Sequence, residues 1–424
     1  MGPITRCLLA VLCTTAWAAP AAGAAEPVRV GMNYPKTGPY ATQGLDQYRA
    51  AQLAIEEINA AGGILGRPVE LVWRDSQSKV DVTRRNVEEL IDEEGVKMLF
   101  GGSASSVAIA AGEIAQQRGV PFFGTLTYST DTTGKDGHRF VFRECYDSWM
   151  AAKVLAVYLN ARFPKKRYYY ITADYTWGWT TERSLRVLTD TAGAEHGRAL
   201  TPFPTASAAD FHGALQKAKA ADPDVLVLVL FGQDMVSAIK MTEAMGFGKK
   251  VQIVVPNLTL GMAEDAGPEA MAGVVGALPW AWNIPVKYGY EGGKRFVEAF
   301  AKRYERYPCT SGASAYTILW EYKDAVERAK SFDGAAVVRA LEGHAYTRLK
   351  DRQVWREFDH QSVQRVWAVR CRPAAEVLKD KYRQDYFEVL GSLPGEEAAV
   401  GFAQWKAQRA AAGKAPELEK LPGE

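Results

Sequence analysis

The chain has 424 residues, which is too long for one ordinary hydrophobic core and suits two α/β domains of roughly 150 to 200 residues each. Its 51 basic and 49 acidic residues give a formal net charge of +2. Because neither sign is in excess, the composition argues against nucleic acid and against an anionic membrane surface as partners.

Residues 1–25 have the pattern of a secretory signal peptide. A single basic residue, Arg6, precedes an apolar run from Cys7 to Trp17, and a small-residue tract with an A-x-A site at Ala22 to Ala24 follows. The apolar run is too short to span a bilayer, and no later stretch approaches eighteen uninterrupted apolar residues. We therefore expect cleavage near Ala24 or Ala25 and export of the mature protein to the periplasm in soluble form.

Three units of strand followed by helix open the mature chain. The apolar strand runs are Val28–Tyr34, Val69–Trp73 and Val96–Phe100, and the first two lead into helices at Gln47–Ala60 and Val80–Glu93. Consecutive parallel strands need crossovers of this length, so the pattern predicts a parallel sheet.

The segment from Val96 to Thr127 reads as strand, turn, helix, strand and turn. Gly101 and Gly102 permit a tight turn, and the serines that follow, among them Ser103 and Ser105, suit a helix N-cap. A helix N-terminus at the carboxyl end of a parallel strand is a frequent ligand site, because unpaired N–H groups point outward there. The serines are therefore either helix caps only or part of a ligand site.

The alternation restarts after a short strand at Phe140–Arg143 and a helix at Ser148–Ala161, which predicts a second α/β domain. Its predicted elements are strands at Tyr168–Thr172, Val225–Leu230, Gln252–Pro256 and Gly273–Leu278 and helices at Thr181–Ala192, Ala208–Ala221 and Met235–Met245. Further on, the pattern predicts two long amphipathic helices, Gly292–Tyr307 and Ala313–Lys330, and a final antiparallel pair of strands, Val354–Phe358 with Arg365–Cys371. The tail from Pro373 is charged, with helical patches.

Several of these segments resemble the type I periplasmic solute-binding proteins of the leucine/isoleucine/valine-binding family. The motifs are VRVGMNYPKTGPYATQG, INAAGGILGRPVEL with a strand and an aspartate after it, VKMLFGGSASS, GVPFFGT and DYTWGW. The resemblance implies two Rossmann-like lobes with parallel sheets, joined by three crossing segments that act as a hinge. On this basis the first lobe comprises residues 26–146 and 281–360, and the second comprises 147–280 and 361–424, including a C-terminal extension.

The same resemblance implies that solute binds in the cleft between the lobes. It places Ser105, Leu126 and Thr127 where backbone and hydroxyl groups hold a ligand carboxylate, Trp177 over the ligand, and Phe231 and Asn257 on the facing lobe. Amino-acid binders of the family usually have an acid at the position of Asn257, and a neutral amide cannot pair with an ammonium group. Asp147 is the candidate that could stand in for it.

Many aromatic residues are expected near this cleft, which suits a largely apolar ligand with few polar groups. They are Tyr40, Tyr128, Tyr146, Trp149, Tyr175, Trp177, Trp179, Trp280 and Trp282, although each could instead pack the hinge or a lobe surface. Glu144 and Tyr146, spaced to point the same way, could together hold one hydroxyl group. This arrangement resembles a bacterial branch of the family that carries sterols or related lipids, while an ion pair between Glu144 and Arg143 is the alternative.

The sequence gives little support to an enzyme. It contains no G-x-S-x-G, P-loop or H-E-x-x-H motif, and its five histidines are scattered without ligand spacing. We expect no cofactor and no metal ion, and the three cysteines of the mature chain allow at most one internal disulfide. The expected partners are a small-molecule or lipid ligand and inner-membrane transporter subunits, for a monomeric protein. A branched-chain or aromatic amino acid as ligand, and a ligand-sensing role, stay open as alternatives.

Overall fold

The computed structural model of the chain describes residues 2, 25–247 and 250–424, and in this part the chain forms two α/β lobes. The first lobe is built on a five-stranded sheet with the order β2-β1-β3-β4-β5, and the second on a seven-stranded sheet with the order β15-β14-β10-β9-β8-β6-β7. The predicted signal peptide lies almost entirely outside the described residues.

All five strands of the first sheet run parallel, as the strand and helix alternation predicted. The first part of this lobe comprises β1 (Val28–Tyr34), α1 (Ala41–Ala60), β2 (Val69–Asp75), α2 (Val80–Glu88), β3 (Met98–Gly101), α3 (Ser105–Arg118), β4 (Phe122–Gly124) and β5 (Val141–Arg143).

The second lobe follows without interruption. Its elements are α4 (Ser148–Arg162), β6 (Tyr168–Ala173), α5 (Thr176–Leu188), β7 (Gly197–Thr201), α6 (Ala208–Ala221), β8 (Val225–Val229), α7 (Gly232–Ala244), β9 (Gln252–Asn257), α8 (Leu260–Ala266), α9 (Pro268–Met271) and β10 (Val275–Leu278). Helix α5 begins at Thr176, five residues earlier than the sequence pattern predicted, so Trp177 lies in the first turn of a helix rather than in a loop.

The chain then returns to the first lobe, where α12 packs lengthwise against α1. The elements here are α10 (Asn283–Tyr288), α11 (Glu291–Tyr304), α12 (Thr310–Ala329), α13 (Gly334–Leu341), β11 (Ala345–Tyr346), β12 (Gln353–Trp355) and β13 (Ser362–Val363). The final elements are β14 (Val366–Cys371), α14 (Ala374–Val377), β15 (Phe387–Leu393), α15 (Gly395–Ala398) and α16 (Phe402–Ala411).

The predicted antiparallel pairing of residues 354–358 with 365–371 is wrong. Strand β12 pairs with β11 and β13 in a small three-stranded sheet, whereas β14 adds to the second lobe between β10 and β15. Both segments have the alternation of strands, but alternation does not identify the partner strand, and here the two segments belong to different sheets. The antiparallel strands β14 and β15 also make the second sheet mixed rather than purely parallel.

The C-terminal extension leaves the second lobe and contacts the first. After β15, the buried indole of Trp405 donates from Nε1 to the carbonyl oxygen of Thr133 at 2.8 Å, and Arg409 Nη1 donates to that of Gly134 at 2.7 Å. Leu421, close to the C-terminus, is buried among core residues of the first lobe. The boundaries of the lobes stay a prediction, and these contacts place the end of the 361–424 segment against the first lobe.

Cys145, Cys309 and Cys371 are all buried and free. No helix of the described residues combines the length and the apolar character that crossing a bilayer requires.

Candidate functional site

The carboxyl ends of the parallel strands in both lobes face a common junction, which is where open α/β sheets bind ligands. The lobes touch directly there. Tyr40 and Tyr175 share a hydrogen bond of 2.9 Å between their hydroxyl groups, and Thr42 Oγ1 donates to Asp265 Oδ2 at 2.9 Å. In this closed arrangement, residues from the first lobe such as Tyr40 join the buried cluster of the second lobe.

Aromatic rings from both lobes fill the junction. The ring of Phe231, from the second lobe, lies with its centroid 5.2 Å from that of Tyr40, 5.7 Å from Tyr128 and 5.9 Å from Trp177. Phe203 stacks on Tyr175 at 4.0 Å and on Tyr40 at 5.6 Å. Phe203 was not among the sequence candidates, because it lies in a loop that no motif of the sequence marked. The structure thus brings Tyr128, Trp177 and Phe231 into one aromatic cluster.

Ser105 and its neighbours supply the polar side of the junction. Ser105 opens α3, but the N-cap residue is Ala104 and no side-chain cap is present, so the predicted capping by serine is wrong. The Oγ atom of Ser105 instead accepts a hydrogen bond of 3.0 Å from the backbone N–H of Ser129. The Ser129 hydroxyl in turn contacts Thr176 of the second lobe at 3.1 Å. Ser105 therefore belongs to a polar contact between the lobes.

The predicted carboxylate-binding residues Leu126 and Thr127 are both buried beside this contact. Thr127 Oγ1 shares a hydrogen bond of 2.8 Å with Thr132, and its backbone N–H contacts the sulfur of Cys145. Burial raises the pKa of the Cys145 thiol to about 12, so this group is a neutral, unreactive part of the packing.

Asn257, the last residue of β9, is fully buried, and the oxygen of its side-chain amide accepts a hydrogen bond. Its Oδ1 atom accepts from Trp177 Nε1 at 3.1 Å, whereas its Nδ2 group lies near the Tyr146 hydroxyl without a hydrogen bond of good geometry. Tyr146, also buried, donates from its hydroxyl to the carbonyl oxygen of Ala277 at 2.7 Å. A buried donor without a partner carries an unmet desolvation cost, which a ligand acceptor or a water molecule could remove.

Further buried polar atoms without a partner lie at the carboxyl edge of the first sheet. One is the Oγ atom of Ser103, a residue that follows β3 closely in the chain. Another is the Nε2 atom of Gln47 on α1, while the Oε1 atom of the same side chain accepts from Thr125 Oγ1 at 2.5 Å. Together with Asn257 Nδ2, these atoms offer more donors than acceptors. Such a set suits a ligand or water molecules that accept hydrogen bonds.

Asp147 is engaged inside the protein and does not present a free carboxylate. Its Oδ1 atom caps α4 by accepting from the N–H of Met150 at 2.8 Å, and its Oδ2 atom pairs with the buried guanidinium of Arg143 at 3.0 Å. Arg143 is thereby shared between Asp147 and Gln361. The expectation that Asp147 replaces the acid missing at Asn257 finds no support in this geometry.

Glu144 faces the hinge rather than Tyr146. Its Oε1 atom accepts from Gln353 Nε2 at 3.2 Å, and its backbone carbonyl accepts from Gln364. Burial lowers the pKa of the nearby Lys350, and the negative charge of Glu144 partly offsets this shift. Glu144 and Tyr146 therefore bond to different groups, and a ligand hydroxyl held by both would have to displace these contacts.

Trp149 lies away from the aromatic cluster. It lines a separate groove of about 510 Å³ between the C-terminal extension and the second lobe, together with Arg183, Val187, Gln404 and Gln408. The sequence analysis counted Trp149 among the aromatic residues expected near the cleft, but the helix turns its side chain toward α5 and α16.

Asp234 is an acid of the junction that the sequence analysis missed. It is 8% exposed, in the first turn of α7, and burial raises its pKa to about 7. The sequence offered a weak signal, an acid soon after the end of an apolar strand, which is common at helix starts. Within the residues that the structure describes, no group of three or more His, Cys, Asp or Glu side chains is arranged to hold a metal ion.

Comparison with known proteins gives three consistent results. The family profile described as "Periplasmic binding protein" matches residues 27–376. A protein of Brucella abortus named "Leu/Ile/Val-binding protein homolog 7" is 26% identical over 357 residues, covering 78% of this chain and 85% of the relative.

Two solved structures share the fold. A periplasmic binding protein from Burkholderia mallei superposes with a TM-score of 0.81 at 22% identity, covering 90% of this chain and 98% of the other. An amino acid ABC transporter substrate-binding protein from Pseudomonas fluorescens Pf-5 gives a TM-score of 0.78 at 25% identity, covering 91% and 99%. The resemblance to leucine/isoleucine/valine-binding proteins and the predicted two-lobed fold are confirmed, and the chain belongs to the periplasmic binding protein family.

Proposed function

We propose that this chain is the solute-binding component of an inner-membrane transport system, and that it captures a small, largely apolar ligand between its lobes. The observation that carries the proposal is the aromatic cluster at the junction, to which Tyr40 and Tyr128 of the first lobe and Trp177 and Phe231 of the second contribute. Aromatic walls from both lobes would cover both faces of an apolar ligand.

The polar groups at the junction limit the ligand further. The family position that usually holds an acid is Asn257, which offers an N–H donor but no negative charge. The ligand is therefore a molecule with few polar groups. A sterol-like lipid held by Glu144 and Tyr146 is less favoured than a compact ligand, because both side chains already bond to other groups.

A branched-chain or aromatic amino acid is the second candidate ligand. It is favoured by the name of the Brucella relative and by the description of the Pseudomonas fluorescens structure as an amino acid ABC transporter substrate-binding protein. For either ligand, we propose that the protein is exported to the periplasm after removal of residues 1–25. It would act there as a monomer, without catalysis, and deliver the ligand to membrane subunits of the transporter. A ligand-sensing subunit would use the same cleft.

The experiment is native mass spectrometry of the mature protein, purified from its own host or incubated with that host's total lipid and metabolite extract. Trp177→Ala removes a ring that is 2% exposed, and Trp179→Ala, on the same helix and 51% exposed, is the matched control. We expect a small apolar ligand that Trp177→Ala loses and Trp179→Ala retains. Retention of a strongly polar solute, or of a ligand indifferent to Trp177→Ala, would contradict the proposal.

A further inference from the structure

The candidate cleft and the C-terminal extension contact opposite ends of one loop. Residues 125–137 lie between β4 and β5 and include one short helical turn, Thr130–Thr132. We name this segment the cleft loop, because the predicted ligand residues Leu126, Thr127 and Tyr128 lie on it. A long, largely buried loop makes few of the hydrogen bonds of a helix or sheet, so its backbone carbonyl groups need donors from elsewhere.

The extension supplies such donors at the far end of the cleft loop. Trp405 Nε1 donates to the carbonyl oxygen of Thr133 at 2.8 Å, and Arg409 Nη1 donates to those of Gly134 at 2.7 Å and Gly137 at 3.2 Å. Among the described residues, the carbonyl oxygens of Thr133 and Gly137 accept from no other group. Trp405 and Arg409 lie one turn apart on the same face of α16 and are 2% and 4% exposed.

Arg409 also holds the end of the extension. Its Nε atom donates to the carbonyl oxygen of Ala415 at 2.6 Å, and its Nη2 atom donates to that of Glu417 at 3.3 Å. The guanidinium group offers five donors in a fixed planar arrangement, so one side chain can bind several carbonyl groups at once. Arg409 therefore links the last residues of the chain to the cleft loop through backbone oxygens.

The cleft loop connects these contacts to the ligand residues over a short distance in the chain. Thr132, the neighbour of Thr133, shares a hydrogen bond of 2.8 Å between its Oγ1 atom and that of Thr127. Tyr128, the next residue, contributes its ring to the aromatic cluster of the junction. A displacement of Thr133 would therefore be transmitted to Thr127 through Thr132.

We propose that Trp405 and Arg409 are positioning residues for the ligand site. They fix the cleft loop, and through it Thr127 and Tyr128, in the geometry that binds the ligand. This inference rests on the proposed function, because it assumes that the ligand occupies the aromatic junction. It assigns the C-terminal extension a part in ligand binding that is exerted through the loop and not by contact with the ligand.

Arg143 offers a competing explanation for the order of the cleft loop. Its Nη2 atom donates to Thr133 Oγ1 at 2.8 Å, and its Nη1 atom donates to the carbonyl oxygen of Ser129. If Arg143 is sufficient to hold the loop, the extension contributes to stability alone. The two explanations differ in what the loss of the donors on α16 does to the loop and to ligand affinity.

The first measurement is hydrogen exchange of the full mature protein, followed by mass spectrometry of peptides from the cleft loop and from β1. The double variant Trp405→Phe/Arg409→Gln removes these donors and keeps an aromatic ring at position 405. Because β1 lies in the same sheet as β4 and β5, its exchange reports a general loss of stability. We expect amides of the cleft loop to exchange about tenfold faster relative to β1 than in the wild type.

Two further variants complete this measurement. Lys406→Ala, at an exposed position of α16, should exchange as the wild type does. Trp405→Phe alone removes one donor and is the variant to use if the double variant does not fold. It should accelerate exchange of the cleft loop relative to β1 by about threefold.

The second measurement is native mass spectrometry with serial dilutions of the host's total lipid and metabolite extract as the probe. The dilution at which half of the protein carries a ligand measures relative affinity. We expect the double variant to need about fivefold more extract than the wild type. Leu215→Ala truncates a side chain of α6 that is 0% exposed, and it controls for lost stability. It should need the same amount as the wild type, because molecules that stay folded keep an intact cleft.

The outcomes separate this inference from the proposed function. Exchange of the cleft loop that is unchanged relative to β1 would show that Arg143 is sufficient and would overturn the inference. Faster exchange with unchanged affinity would overturn it as well, and both results leave the aromatic cleft standing. A wild type that retains no ligand, or one whose ligand is indifferent to Trp177→Ala, would overturn the proposed function and this inference with it.

Discussion

Lys350 donates a hydrogen bond of 2.5 Å from its Nζ atom to the carbonyl oxygen of Pro279, although the two residues lie 71 positions apart. The same ammonium group donates to Gln364 Oε1 at 2.6 Å and to the carbonyl oxygen of Arg365 at 3.2 Å. Pro279 belongs to the second crossing between the lobes, and Gln364 and Arg365 belong to the third. One buried side chain therefore joins two segments of the hinge.

Replacing this lysine should destabilise the protein. In Lys350→Met the acceptors at Pro279, Gln364 and Arg365 lose their donor, and a buried group left unsatisfied typically costs about 1 to 3 kcal/mol. We expect the free energy of unfolding, measured by urea denaturation at pH 7, to fall by about that amount. Lys217→Met, at an exposed position of α6, should leave it unchanged. Equal stability of both variants would contradict the role of Lys350 in the hinge.

The same residue predicts a pH dependence. Burial lowers the pKa of Lys350 to about 8, while the unfolded chain keeps the ordinary lysine value of 10.5. Between these values the unfolded state binds more protons, so Lys350 makes the free energy of unfolding rise with pH, by about 1 to 3 kcal/mol. Denaturation at pH 7.5, 8.5 and 9.5 should show this rise in the difference between the unfolding free energies of the wild type and Lys350→Met. Burial raises the pKa values of the Cys145, Cys309 and Cys371 thiols, which opposes the rise in this pH range but does so equally in both proteins, so the difference between them reports Lys350.

Simple zwitterionic amino acids should bind weakly. Asn257 cannot form the charge-assisted contact with the ligand ammonium, and losing such a contact costs about 1.5 to 3 kcal/mol. Calorimetric titration with leucine, valine and phenylalanine measures this directly, and Asn257→Asp should strengthen binding of all three. Submicromolar binding of any of them by the wild type would instead favour the amino-acid alternative.

Ligand binding should stabilise the closed arrangement of the lobes. The crossings after β5, after β10 and before β14 connect the two sheets and permit rotation of one lobe against the other. Small-angle scattering should give a smaller radius of gyration with saturating ligand than without. A radius of gyration that stays the same with saturating ligand would count against closure of the lobes on the ligand.

The C-terminal extension should depend on Trp405 for its attachment. This indole is 2% exposed, packs on Phe358 and donates to Thr133. Trp405→Ala should lower the free energy of unfolding by about 3 to 5 kcal/mol, because it removes a large buried side chain. Limited proteolysis should then cut the chain between β15 and α16. Phe402→Ala, which truncates a ring that is 48% exposed, should stay resistant.

Local pattern was sufficient for most elements because it depends on neighbours in the chain. The strands at Val28 and Tyr168 and the helix at Ala208 start where the apolar period and the flanking turns predicted. Tyr128 and Trp177 were expected near the cleft as aromatic residues and Phe231 through the family resemblance, and these three rings do meet in space. The roles of Glu144 and Trp149 were not predictable, since Glu144 bonds to Gln353, 209 positions away, and Trp149 depends on the direction in which a helix turns its side chain. Asp147 instead engages Arg143 and Met150, its near neighbours in the chain.

The sequence by itself determined the family, the two α/β lobes and the position of the cleft at the carboxyl ends of the strands, because these follow from periodicity, crossover length and local motifs. Only the tertiary structure decided which polar groups are already satisfied. Glu144 bonds to Gln353, 209 positions away, and Asp234 lies where burial raises its pKa to about 7. The physical reason is that the state of a buried charge depends on the groups that long-range folding packs around it, and spacing along the chain does not record them.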